Sequence, residues 1–269
     1  MGLGKSTAVV IGSFPLGESD RVVSFFSRDF GKVRGVARAA RRMRSRFGGA
    51  LELLTLGELV FFDTGRSELV QVDHFDIVHP FESIRGDLER LGQAAWIVEC
   101  VARLTADRDP SATVYGLLVR ALWSLQAGDS PQRTATVFGL RCIDALGHRL
   151  RIDACVGCGR RGTPTSGSVA MDVEGGGVTC VACAARTRGA IRMDASSLGA
   201  LRRLRALSWR EAVAAPLDRA EEQVREIVDL HVARLVGQPV RSSRFLREIE
   251  RLSPVNVAVR AAIGGKAHP

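Results

Sequence analysis

The chain contains six cysteines, and four of them form two CxxC pairs, Cys155-Val156-Gly157-Cys158 and Cys180-Val181-Ala182-Cys183. Each pair places two thiolates on one side of a tight turn, and two such pairs complete a tetrahedral set of zinc ligands. Four thiolates leave no open coordination position for a substrate. The spacing therefore predicts one structural zinc ion bound by Cys155, Cys158, Cys180 and Cys183. A redox role is the alternative that this spacing leaves open.

A second group of chemically distinctive residues lies between Gly31 and Gly49, where basic side chains occur without any acidic one. Arginine presents a rigid fork of donors that matches phosphate geometry and stacks on bases, so this density favours nucleic acid over a small acidic metabolite. The predicted contacts are Lys32, Arg34, Arg38, Arg41, Arg42, Arg44 and Arg46, with Phe47 as a base-stacking candidate. A solvated charged loop without a ligand is the alternative.

The whole chain has the composition of a folded, basic protein. Its 269 residues are 46% hydrophobic, which is enough for two or three domains with cores of their own. The formal charge of +9 and the isoelectric point near 10.0 add a long-range attraction to polyanions, either nucleic acid or an anionic membrane surface. No run of about 18 apolar residues and no secretory leader pattern occurs, so we expect a soluble cytoplasmic protein.

The basic stretch lies in a β-rich N-terminal region that must position it. Apolar runs separated by turn signals predict strands at residues 7–14, 21–28, 32–40, 51–63 and 67–75. This number of short strands suits a small antiparallel barrel, and the OB-fold is the five-stranded barrel most often used to bind oligonucleotides. The third strand would then continue into a mobile arginine loop that ends at Gly48-Gly49.

Helical periodicity replaces the strand pattern after Pro80. Three amphipathic helices are predicted from apolar repeats that begin at Ile84, Val114 and Val137. We expect buried side chains on these helices at Trp96, Trp123, Cys100 and Cys142. No nucleophile, base and orienting group can be assembled from the spacing, so the pattern predicts a packed body that is not an enzyme.

Two further helices are predicted after the cysteine pairs, at residues 196–207 and 218–235. His231 lies on an apolar face of the second helix, where a core histidine is the expected role. A last helix would carry Arg241, Arg244, Arg247 and Arg251 along one side, either as a second anion-binding surface or as a solvated face. Residues 254–269 have the character of a loose terminal tail.

Several separated segments resemble the RecO family of bacterial recombination mediators. They are Leu16-Gly17-Glu18-Ser19-Asp20-Arg21, Gly31-Lys32-Val33-Arg34-Gly35-Val36-Ala37-Arg38, Leu146-Gly147-His148-Arg149 before the first cysteine pair, Gly175-Gly176-Gly177 before the second, and Ser243-Arg244-Phe245-Leu246-Arg247. They follow the family's order over nearly the whole chain. His148 and Leu150 depart from the family pattern, which commonly has an aromatic residue and a proline at these positions.

The resemblance implies an α+β fold, with an N-terminal five-stranded OB-fold barrel followed by an α-helical domain with an inserted four-cysteine zinc knuckle. The expected boundaries are 1–80 for the barrel, 81–153 and 190–253 for the two parts of the helical domain, 154–189 for the knuckle and 254–269 for the tail.

The resemblance also implies a function in DNA repair. RecO proteins bind single- and double-stranded DNA, anneal complementary strands, and act with RecR to load the RecA recombinase onto DNA coated by single-strand-binding protein. By position, the basic residues of 31–49 would contact DNA phosphates and the four cysteines would hold zinc. Two other functions stay open: a zinc-ribbon regulator that reads a duplex, with residues 241–251 as its recognition helix, and a protein-binding adaptor.

Overall fold

The N-terminal part of the chain is a closed five-stranded barrel. In the computed structural model, which describes residues 2–65, 67–162, 168–243 and 245–246, its strands are β1 (Gly2–Leu16), β2 (Asp20–Ser27), β3 (Gly31–Ala37), β4 (Leu56–Asp63) and β5 (Val70–His79). They close in the order β1-β2-β3-β5-β4, with β3 and β5 parallel and the other neighbours antiparallel. This is the OB-fold that the sequence predicts.

Alternation along the strands fills the interior of the barrel. Every second residue of β3 is buried, and Val33 shares the barrel core with Phe25 and Phe75. Glycine is required at position 35, where β3 meets β5, because an added Cβ would lie 2.7 Å from Cγ2 of Val72. The side chains between the buried ones, including Arg34, point away from this core.

The fourth strand is shorter than its sequence pattern predicts. It begins at Leu56 and not at residue 51, because the preceding residues form turns, one of them closed by a hydrogen bond from Thr55 N to Glu52 O. Leu51 and Leu54 are nevertheless buried. Their apolar character reflects packing of the loop against the barrel and not a strand. The other four predicted strands overlap the observed ones.

A helical body follows the barrel. Its first helices are α1 (Glu82–Arg85), α2 (Leu88–Leu104), α3 (Ala112–Ala127) and α4 (Pro131–Ala145). Short polar side chains cap three of them, since Asp87, Ser111 and Ser130 accept hydrogen bonds from backbone N–H groups in the first turns of α2, α3 and α4. Cys100 and Cys142 are buried in the helical core, as predicted, and burial raises the pKa of both thiols.

The two tryptophans of these helices have different surroundings. Trp96 is 5% exposed, and its Nε1 donates hydrogen bonds to Asp229 and Ser243, which confirms the core prediction. Trp123 is 44% exposed, so the core prediction for this residue is wrong. Its ring packs at a centroid distance of 4.4 Å against His79, the last residue of β5. The helical repeat could not reveal this, because the covering partner comes from the barrel.

The cysteine pairs belong to a small β-rich unit inserted into the helical body. Strands β6 (Ser168–Asp172), β7 (Gly177–Thr179) and β8 (Ile191–Asp194) form an antiparallel sheet in the order β7-β6-β8, with the short helix α5 (Val181–Ala184) between β7 and β8. The helical body resumes with α6 (Ala195–Ala206), α7 (Trp209–Ala214) and α8 (Ala220–Val236). Helices α6 and α8 lie where the sequence predicts them, whereas the patterns did not predict the small sheet or α7.

The last described residues pack on the helical body. His231 of α8 is 1% exposed, with Nε2 2.9 Å from the carbonyl oxygen of His148, which confirms its core role. The backbone N–H of Arg241 donates to Glu99. The other basic residues of the predicted last helix, Arg244, Arg247 and Arg251, lie outside the described residues, as does the predicted tail at 254–269. None of the helices in the described ranges is long and apolar enough to cross a membrane.

The barrel is fastened to the helical body by apolar and polar contacts. Val9, Ile11 and Phe26 of the barrel join the same buried cluster as the helices. The chain also approaches closely at Gly31, where an added Cβ would clash with the carbonyl oxygen of Asp109. Glycine at position 31 therefore permits the barrel to dock against the turn between α2 and α3.

Candidate nucleic-acid interface and metal centre

The arginine loop, residues 38–46, begins directly where β3 ends. Its five arginines are all exposed: Arg38, Arg41, Arg42, Arg44 and Arg46. Arg34 precedes them as a half-buried residue on the outer side of β3. The structure therefore places five of these predicted residues in the loop after β3 and Arg34 on the strand itself, with all six side chains outside the barrel core.

The turn between β1 and β2 holds the arginine loop in place. The backbone N–H of Arg41 donates to Ser19 O at 2.9 Å, and Nη1 of the same residue donates to Gly17 O at 2.9 Å. The Asp20 carboxylate accepts a hydrogen bond of 2.8 Å from the backbone N–H of Ala39. This bond is the largest cause that holds the pKa of Asp20 below its ordinary value.

Gly17, Ser19 and Asp20 are therefore site residues that charge counting alone missed. Ala39 has a φ of 56°, which a residue other than glycine adopts only when its surroundings hold it there. The signal in the sequence was the segment Leu16 to Arg21, which the family resemblance had already singled out. Asp20, one of the two acidic residues in this segment, holds the loop in place through the backbone of Ala39.

The loop arginines differ in how far they are engaged within the protein. Arg46 donates to Val72 O at 3.4 Å, lies 4.0 Å from a carboxylate oxygen of Asp73 and sits 5.0 Å above the ring of Phe47. Three other loop arginines, Arg38, Arg42 and Arg44, make no side-chain hydrogen bond or ion pair within the described ranges. Asp20 attracts the first two of these electrostatically. Their donor groups face solvent and can donate to phosphate oxygens.

Lys32 has a different role from the arginines that follow it. Its side chain is only 14% exposed and forms an ion pair of 3.1 Å with Asp107. Its Nζ also donates hydrogen bonds of 2.7 Å to the carbonyl oxygens of Ala102 and Thr105, at the C-terminal end of α2. An ammonium group is favourable there because the last carbonyls of a helix carry partial negative charge. In this arrangement Lys32 joins the barrel to the helical body.

Phe47 also lies away from the surface. Its side chain is 4% exposed and belongs to the barrel core with Leu51 and Phe61. A base could stack on this ring only if the loop moved. Position in the sequence suggested a base contact because the residue is surrounded by arginines, but burial of an aromatic ring anchors the loop to the barrel instead.

The four paired cysteines come together as the spacing predicts. Their Sγ atoms all lie within 4.8 Å of one another, and the Sγ atoms of Cys158 and Cys180 are 3.7 Å apart. Tetrahedral zinc with Zn–S bonds of about 2.3 Å requires Sγ–Sγ separations of roughly 3.8 Å. The cluster thus fits a metal ion with the thiolate preference of zinc.

Local hydrogen bonds shape the two halves of the metal cluster. In the first half, the backbone N–H of Cys155 donates to Arg160 O, and that of Gly159 donates back to Cys155 O, both at 2.9 Å. In the second, Cys180 precedes α5 and Cys183 lies within it. Gly157 keeps the halves close, because a Cβ at this position would lie 3.0 Å from Cys183 Sγ.

The thiols of the cluster have unequal acidity. A hydrogen bond from the backbone N–H of Cys180 lowers the pKa of Cys155 to about 6. The neighbouring thiols, Cys180 first, raise the pKa of Cys183 to about 12. Four close thiolates repel one another, so full deprotonation requires a cation among them.

The fold and these two sites define the class of protein: an OB-fold barrel with an exposed arginine loop, joined to a helical body that carries a four-cysteine metal site. The profile described as Recombination protein O N terminal matches residues 1–81, and the one described as Recombination protein O C terminal matches residues 85–244.

Relatives of full length agree with this assignment. The chain is 35% identical over 247 residues to a DNA repair protein RecO of Anaeromyxobacter sp. (strain K), covering 91% of this chain and 96% of the relative. It is 30% identical over 243 residues to the DNA repair protein RecO of Myxococcus xanthus, covering 90% of this chain and 96% of the relative. The chain belongs to the RecO family of DNA repair proteins, which confirms the resemblance.

Proposed function

We propose that this protein is a recombination mediator that binds single- and double-stranded DNA, anneals complementary strands and helps to load a recombinase onto coated single strands. It acts without catalysis, by holding strands and recruiting partners. The observation that carries the proposal is the arginine loop, whose arginine side chains are exposed on an OB-fold barrel and, within the described residues, form no buried ion pair. Membership of the RecO family supports the same assignment.

The proposed mechanism is electrostatic. Two DNA strands repel each other through their phosphates, and arginines that neutralise these charges allow bases to pair. The proposed contact residues are Arg34, Arg38, Arg41, Arg42, Arg44 and Arg46. Lys32 and Phe47 are left out of this surface because both side chains are engaged inside the protein. The formal charge of +9 adds long-range attraction that speeds encounter with DNA.

We assign zinc to the four-cysteine cluster, with a structural role. Zinc bound there by Cys155, Cys158, Cys180 and Cys183 would neutralise the thiolates and hold the two halves of the inserted unit together. Supporting this, all four ligand positions are filled by protein, and the Sγ separations suit a tetrahedral ion. The helical body is proposed to supply surfaces for RecR and the single-strand-binding protein, with RecA as the recombinase that is loaded in the bacterial cytoplasm, near the nucleoid.

An annealing assay tests the proposal. The loop variant replaces Arg38, Arg42 and Arg44 with Gln; within the described ranges these side chains make no tethering hydrogen bond, so the loop should keep its conformation. The control variant replaces three exposed arginines elsewhere with Gln, namely Arg28, Arg210 and Arg219. Both variants lose the same net charge, so a general charge effect would alter them equally.

We expect the wild type and the control variant to accelerate pairing of two complementary oligonucleotides, with and without bound single-strand-binding protein. The loop variant should bind single strands roughly 50-fold more weakly at 0.15 M salt, from three lost contacts at a salt slope of about 0.7 each. It should anneal correspondingly slowly. Equal binding and annealing by the two variants would show that the arginine loop is not the DNA surface.

A further inference from the structure

The unit that holds the metal cluster carries a second set of unengaged arginines. This metal unit comprises residues 149–162 and 168–194. In the part of the chain that the structure describes, five of its arginines are exposed and have no side-chain hydrogen bond or ion pair: Arg149, Arg160, Arg161, Arg186 and Arg188. The unit contains four acidic residues; of these, Asp153 is paired with Arg202 at 3.1 Å, and Asp172 accepts a hydrogen bond from the backbone N–H of Gly175.

Two arginines of the helical body, Arg133 and Arg205, have a different role from these five. Arg133 pairs with Glu221 at 2.8 Å, and Arg205 pairs with Asp144 at 2.7 Å. These guanidinium groups fasten one helix to another and have little surface left for a ligand. The five exposed arginines of the metal unit make no such contact within the described residues, so they do not fasten one element to another.

Metal binding gathers these arginines onto one small, ordered unit. Arg160 follows Cys158 by two residues, and Arg186 follows Cys183 by three. Their backbones are fixed by the ligands' own hydrogen bonds, since Cys155 N donates to Arg160 O and Arg186 N donates to Cys183 O, both at 2.9 Å. Because the Sγ atoms lie within 4.8 Å of one another, the two chain segments that carry these arginines meet at the cysteine cluster.

Compensation of the metal cluster explains only part of this charge. A zinc ion with four thiolates carries a formal charge of about −2, and the unit also holds four carboxylates against seven arginines, which leaves a net charge of about +1. Exposed like charges on a rigid backbone repel one another, and a polyanion relieves that repulsion. The five arginines come from two separate chain segments, which favours contact with several phosphates of a nucleic-acid strand over contact with a single small anion.

The metal unit and the arginine loop are attached to different parts of the helical body. The barrel docks on the C-terminal end of α2, through Lys32 and its carbonyl partners. The metal unit joins α6, where Arg202 bonds to the carbonyl oxygen of Ile152, and α8, where His231 lies 3.3 Å from a Cβ placed on Gly176. One chain therefore carries two sets of exposed arginines, each attached to a different part of the helical body.

We propose that the metal unit is a second DNA-binding surface, which holds the phosphate backbone of the second strand while the arginine loop holds the first. This inference rests on the proposed function, because it gives each strand of an annealing pair its own site. The ligand is recognised through phosphate, without readout of base sequence.

A sequential capture experiment tests the second surface. The metal-unit variant replaces Arg160, Arg186 and Arg188 with Gln, which removes the same charge as the loop variant and the control variant described above. Each protein is bound to immobilised oligothymidine and washed, and a labelled second oligothymidine is then added. Oligothymidine strands cannot pair with each other, so capture of the second strand reports protein contacts alone. Bound zinc is measured on the same samples.

We expect the metal-unit variant to keep its zinc and to bind the first strand as the control variant does. Its affinity for the second strand should fall roughly 50-fold at 0.15 M salt, by the same slope of about 0.7 per contact. Capture equal to that of the control variant would overturn the inference, and so would loss of zinc with unchanged capture, since the arginines would then only stabilise the cluster. Failure of the wild type to bind even the first strand would instead refute the proposed function.

Discussion

Replacing Lys32 with Met tests whether this residue attaches the barrel to the helical body or contacts DNA. The Lys32 ammonium donates to two carbonyl oxygens at the end of α2 and pairs with Asp107. Hydrogen bonds to a charged group contribute about 1.5–3 kcal/mol each. The ammonium no longer has to be dehydrated in the variant, and Asp107 can be rehydrated because its side chain is 51% exposed. We therefore expect a net loss of about 2–3 kcal/mol of unfolding free energy.

Arg34 offers a matched comparison on the same face of the same strand, two residues away. It makes no side-chain hydrogen bond or ion pair within the described ranges. Arg34→Met should leave stability nearly unchanged, reduce the single-strand salt slope by about 0.7 and weaken binding roughly fourfold at 0.15 M salt. Lys32→Met should instead lower Tm by roughly 4–12 °C, with the salt slope of the wild type.

Thermal unfolding by circular dichroism measures the first quantity, and fluorescence anisotropy of labelled oligothymidine at several salt concentrations measures the second. The binding titrations should be made well below the lower Tm, so that unfolding does not imitate weak binding. The reasoning would be refuted if Lys32→Met reduced the salt slope as Arg34→Met does while keeping the Tm of the wild type. Lys32 would then contact DNA, as its position in the sequence suggests.

Three further outcomes follow from individual contacts. Asp20→Ala should weaken single-strand binding because the Ala39 N–H loses its acceptor, although the change removes a negative charge beside the arginines. Asp20→Asn keeps an acceptor and should bind at least as well as the wild type. Tighter binding by the Ala variant in anisotropy titrations would contradict the role of Asp20 in holding the loop. Cys180→Ser should reduce bound zinc, measured by mass spectrometry of metal content, and should increase proteolysis of the metal unit. Its affinity for one oligothymidine strand should stay that of the wild type, because the arginine loop is unchanged. Burial lowers the pKa of His231, so the unfolded state takes up the proton more readily, and stability should decrease as pH falls through about 6.5. In thermal unfolding between about pH 7.5 and about pH 5.5, His231→Gln should flatten this pH dependence of stability. An unchanged pH profile would assign the dependence to other groups.

Features whose physics is local can be predicted from the order of the amino acids alone. Two thiols separated by two residues must share a turn, so the cysteine spacing predicted the metal site before any contact was known. The alternation of β3 and the turn residues around it predicted a strand that leads into a basic loop. Helical periodicity likewise located α6 and α8, because burial of one face repeats with the turn of the helix.

Contacts between elements that are distant in the chain set which side chains remain available to a ligand. Lys32 and Arg34 are two basic residues on one face of one strand, yet the helical body binds the ammonium group of the first, whereas the second makes no side-chain hydrogen bond or ion pair within the described residues. Phe47, a candidate for base stacking, is buried, and Trp123, a candidate for the core, is exposed, because burial depends on elements distant in the chain. The order of residues along a chain predicts local conformation and the chemistry of the side chains. Exposure and ion pairing depend on which separate elements come into contact in the folded protein.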